Sequence, residues 1–106
     1  MAWLVLVIAG LFEVVWAFSM KQSEGFTRLW PSVVTLAAAL MSFGLLAWSM
    51  RSLPLGTAYT VWTGIGAVGA FIIGVAVLNE PVTFVRIAAA SLIVGGLLLM
   101  KWSTVA

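Results

Sequence analysis

The chain has 106 residues, of which 64% are hydrophobic and 8% charged. Soluble domains average roughly 45–50% apolar and about 25% charged residues, and they must cover their outside with polar groups. Composition therefore excludes an ordinary soluble enzyme and a disordered chain, and five scattered Lys and Arg residues do not make a nucleic-acid patch. The solvent for most of this surface is lipid. Cys is absent, so no disulfide or thiolate metal site is expected. His and Asp are absent too, which leaves proton chemistry to Glu13, Glu24 and Glu80, with no cofactor and no metal implied.

A hydrocarbon core of about 30 Å takes about 20 helical residues to cross. The first apolar run, 2–20, is broken only by Glu13 and has no basic flank, so it reads as part of the mature chain rather than a cleaved signal peptide. The second run is 31–50, with Gly25 before it and Pro31 suited to a first helical turn. Pro54 and Gly56 mark the next connection, and a third run covers 56–78. Asn79-Glu80-Pro81 marks the last connection. A fourth helix over 81–101 is long enough if Pro81 lies in its first turn and Arg86 snorkels to the interface. Lipid-spanning strands alternate, and these runs do not. The expectation is one all-α integral membrane domain, 1–106, with four transmembrane helices and short turns.

The Lys and Arg residues set no orientation. Arg51 and Lys101 fall on the N-terminal side, and Lys21, Arg28 and Arg86 on the other. Such a chain either inserts both ways and pairs as an inverted repeat, or is oriented by a partner.

Glu13 is the one charge at mid-membrane depth, where a carboxylate costs about 2.5–3.5 kcal/mol on insertion scales. Its helical neighbours are Ala9, Gly10, Trp16 and Ala17, a face that lets a ligand or helix come close. A proton and a cation can each neutralise that carboxylate, so they compete for one group. This competition suffices for coupled antiport if the site opens to one side at a time.

Tyr59, Trp62, Thr63 and Gly66 share helical spacing in the third run. Trp62 offers a ring face to a cation or an N–H to a carboxylate, and Tyr59 is either a gate or an interfacial-belt residue. Ser42 either bonds back to its own helix or joins Glu13, Trp16 and Trp62 in one network. Trp3, Trp30, Trp48 and Trp102 read as interfacial anchors. Gly64 and Gly66 permit a bend in the third helix. Ala88, Ser91 and Gly95 form a small-residue stripe in the fourth, for packing within the chain or for a dimer contact.

Two segments resemble the small multidrug resistance family, and more narrowly its guanidinium-exporter subtype: Phe12-Glu13-Val14-Val15-Trp16-Ala17, and Gly56 through Gly69 (GTAYTVWTGIGAVG). The resemblance implies proton-coupled export of guanidinium and small guanidinyl cations across the bacterial inner membrane by an antiparallel, dual-topology homodimer. It implies Glu13 of both copies as the shared proton and substrate site, oriented by Trp16, Ser42 and Trp62, with Tyr59 at the entrance. It implies a kink at Gly64-Ile65-Gly66 and a dimer contact on the fourth helix. Ala39 replaces a tyrosine common in the polyaromatic-cation exporters of that family, which favours the guanidinium subtype over a broad quaternary-ammonium exporter. A passive channel or a subunit of a larger membrane complex is the competing class.

Overall fold

The computed structural model describes residues 1–105, so residue 106 of the expected domain lies outside the described residues. Four helices follow one another: α1 (Ala2–Gln22), α2 (Leu29–Ser49), α3 (Leu55–Leu78) and α4 (Phe84–Val105). Each is long and apolar enough to cross a membrane, and there is no strand among the described residues.

Local chemistry sets the helix ends. Ser23 is fully buried, donates from Oγ to the Met20 carbonyl (2.6 Å) and accepts from the Phe26 amide (3.0 Å). The turn then passes through left-handed backbone at Glu24, Gly25 and Phe26, which costs a residue with a Cβ more than it costs glycine. Helix α2 starts at Leu29, two residues before the expected start. Pro31 fits because the first amides of a helix have no intrahelical acceptor. Asn79 ends α3 in a left-handed conformation (φ 57°, ψ 34°), and the Asn79 and Glu80 amides both donate to the Gly74 carbonyl.

Helix α4 starts at Phe84 and not at Pro81. Thr83 accepts the Arg86 amide through Oγ1 (3.2 Å), an N-cap that fixes the start after the proline. Residues 79–83 are non-helical, which shortens the fourth span from its N-terminal end.

Helix α1 lies between α2 and α3, and α4 packs mainly along α3. Paired positions show that α1 and α3 run in the same direction: Gly10 meets Ile65, Glu13 meets Gly66, and Val14 meets Gly69. The small core joins Leu6, Ala9, Leu46, Ala58, Val61 and Trp62. None of the described α4 side chains is fully buried. The result is a flat slab of 45 × 35 × 16 Å. Trp30, Trp48 and Trp102 are exposed at helix ends. Trp3 differs from that expectation: it packs against the core beneath Lys101, whose Nζ lies 5.0 Å from its ring centre and ties the end of α4 to α1.

Candidate functional site

The site is built on the seam where α1 meets α3 and on the adjoining face of α2. Glu13 sits midway along α1, and its side chain lies directly against Gly66 of α3. A Cβ at residue 66 would overlap the Glu13 carboxylate. Glycine is what lets a carboxylate fit between two close-packed helices. Glu13 Oε1 is buried and has no hydrogen-bond partner within the chain, and the same holds for Trp16 Nε1 one turn away. A buried acceptor and a buried donor are thus left open, which is unusual in a settled interior.

Ser42 on α2 is fully buried and donates to the Ala9 carbonyl of α1 (2.7 Å) rather than to its own helix. Trp62 on α3 donates from Nε1 to Ser42 Oγ (2.9 Å). This relay ties three helices together around one hydroxyl. It does not include Glu13 or Trp16, so of the four residues considered for one network only Ser42 and Trp62 are joined here. The hydroxyl proton of Ser42 is committed to the Ala9 carbonyl and is not available to Glu13.

The aromatic rings form a row. Trp16 meets Phe43 at 6.3 Å, Phe43 meets Trp62 at 5.8 Å, and Trp62 meets Tyr59 at 5.6 Å between ring centres. Phe43 joins the two tryptophans and was not singled out in the sequence. A phenylalanine in an apolar span carries no distinguishing signal, although its spacing one residue after Ser42 places it on the neighbouring face. Such rings offer faces that attract cations.

Other candidate residues lie elsewhere. Thr63, with Tyr59 and Gly64, lines a cleft of about 490 Å³ between α3 and α4 that Glu13 does not line. Thr63 is one residue from Trp62, and about 100° of helical rotation carries it off the α1 face. Gly10 is a contact glycine under Ile65. Gly64 is similarly the seat of Leu97, where a Cβ would crowd the leucine side chain. Helix α3 runs unbroken through Gly64 and Gly66, so these glycines serve close approach in this conformation. On α4, Ser91 and Gly95 are exposed and Ala88 is half-buried, which leaves that stripe open on the surface of one chain. Among the described residues no three His, Cys, Asp or Glu side chains converge to hold a metal ion.

Comparison with known proteins matches this architecture. The family model for Small Multidrug Resistance protein matches residues 1–93. The chain is 57% identical to the guanidinium exporter of Escherichia coli (strain K12) over 98% of its own length and 99% of the relative's. It is 55% identical to the guanidinium exporters of Citrobacter freundii and Salmonella typhimurium over the same shares. With four apolar spans it is a multi-pass protein of the bacterial inner membrane. A match over most of the chain, at that identity and with that helix pattern, means that it belongs to the small multidrug resistance family.

Proposed function

We propose that the chain exports guanidinium and small guanidinyl cations in exchange for protons, as an antiparallel homodimer with a Glu13 from each copy at a shared site. The family and the guanidinium-exporter relatives support a small-cation exporter. The observation that carries the finer reading is Glu13 itself: a carboxylate at membrane depth, seated on Gly66, with one buried oxygen that no group of the chain satisfies.

Guanidinium is planar, and two of its N–H groups match the two oxygens of a carboxylate. When the carboxyl group is protonated it loses most of that attraction. Cation binding therefore expels a proton, and proton binding expels the cation. Two such groups near a dimer axis titrate as a coupled pair. The open Trp16 N–H can then bond a Glu13 carboxylate as the helices shift, while the Ser42–Trp62 relay keeps α1, α2 and α3 in register. Substrate is handed across by alternating access, one side at a time.

The test is guanidinium-driven proton movement in proteoliposomes. Glu13→Gln is expected to lower it by on the order of a hundredfold or more, since it removes a group that reacts directly. Unchanged transport in that variant would exclude the mechanism. One observation favours a second reading, the broad quaternary-ammonium exporter: the Trp16–Phe43–Trp62–Tyr59 row can also stabilise larger cations. Tetramethylammonium carried as fast as guanidinium in the same vesicles would select it.

A further inference from the structure

Arg86 is itself a guanidinium, and the chain binds it. Its Nη2 lies 3.4 Å from Glu80 Oε1, and its Cζ lies 5.4 Å from the centre of the Phe71 ring. A carboxylate edge and an aromatic face are the two elements that recognise a planar guanidinium. Both charged side chains are 42% exposed, so the pair is open to water at the membrane surface.

The backbone of Glu80 is fixed against the end of α3. Its amide donates to the Gly74 carbonyl (3.0 Å), and its carboxylate folds back against Gly74, where any Cβ would collide with it. Glu80 thereby lines a cavity of about 130 Å³ between α1 and α3, together with Ala17, Phe18, Lys21 and Gly74. Ala17 and Phe18 follow Glu13 and Val14 by one helical turn on α1. The cavity therefore continues the seam that holds Glu13 against Gly66 and Val14 against Gly69. Gly66 and Gly74 are eight residues apart, which is roughly 12 Å along a helix. The protein thus seats two carboxylates on two glycines of one helix, the inner one unpartnered and the outer one holding an arginine.

We propose that Glu80, which lines the α1–α3 seam, and Phe71, which with Arg86 lines the neighbouring cavity between α3 and α4, form an outer guanidinium site where the two meet, filled in this state by Arg86 and taken over by a guanidinium-type cation on its way to or from Glu13. The proposal rests on the reading of the chain as a guanidinium exporter. Lys21 lines the same cavity, so the cluster of Lys21, Glu80 and Arg86 carries one net positive charge. A free guanidinium that replaces Arg86 leaves that local charge unchanged, provided the arginine swings out to the headgroups. A sodium ion gains neither the planar match to the carboxylate nor the stacking on Phe71.

The test follows the 15Nε resonance of Arg86 in full-length Glu13→Gln protein in nanodiscs, titrated with guanidinium chloride or with sodium chloride at equal ionic strength. With the inner carboxylate removed, guanidinium is expected to shift the signal saturably, and sodium to leave it in place. Phe71→Leu is expected to weaken the guanidinium effect about threefold. In Glu80→Gln the signal is expected at its released position from the start, insensitive to guanidinium. Equal shifts with both salts, no shift with guanidinium, or the same shift in Glu80→Gln would each overturn the outer site. Transport by Glu13→Gln is a separate readout: it decides the inner mechanism and leaves the Arg86 titration to be judged on its own.

Discussion

Glu13 and Gly66 act as one unit, because the carboxylate has room only where α3 has no Cβ. Gly66→Ala is expected to displace the carboxylate and weaken guanidinium transport by on the order of a hundredfold, as a misplacement of about 1 Å does at a reacting group. Helical content by circular dichroism should stay the same, since alanine is a good helix former. The relay predicts a different signature. Ser42→Ala leaves the buried Trp62 N–H and the Ala9 carbonyl without their partner, and a buried orphan of that kind costs about 1–3 kcal/mol. Its thermal unfolding in nanodiscs should therefore fall by several degrees, whereas Gly66→Ala should act mainly on transport. The sequence made Glu13, Trp16, Ser42 and Trp62 visible because each is polar in an apolar run. It did not say which hydrogen bonds close. That depends on the helix crossing, which brings the Ala9 carbonyl, and not Glu13, within reach of Ser42.

The four helices were legible for a simple reason: lipid admits only long apolar helices or closed barrels, and these apolar runs do not alternate as barrel strands do. Their ends were less so, because caps and turns are decided by short-range contacts. Helix α4 shows this best. Pro81 suggested a first turn, yet the Thr83 hydroxyl takes the Arg86 amide and moves the start to Phe84. Thr83→Ala is expected to lower stability by about 1 kcal/mol through loss of the cap, seen as a modest drop in the unfolding midpoint, and Thr83→Ser should restore it. Thr63 shows the other difficulty. Spacing placed it with Trp62, but α4 claims that face of α3, and a single chain's pattern does not say which neighbour a helical face will meet.

On the scale of the molecule, one chain is a flat slab whose α4 buries little. The nearly even division of Lys and Arg between the two sides fits insertion in both directions. Adding two lysines to the α1–α2 connection, or instead to both ends of the chain, should fix opposite orientations. Each such variant alone is expected to lose most export of guanidinium, and co-expression of the two to restore it. Full activity of a singly oriented variant would exclude the inverted pair. At the centre of the proposed function is the exchange, at one carboxyl group, Glu13, of a proton for a guanidinium cation. Its most direct measurement is proton movement in sealed proteoliposomes under a guanidinium gradient with the membrane potential clamped. Wild-type protein should acidify or alkalinise the lumen opposite to the flow of guanidinium, and Glu13→Gln should abolish the signal. Guanidinium flux without any proton movement in the wild type, or proton movement that persists in Glu13→Gln, would contradict it.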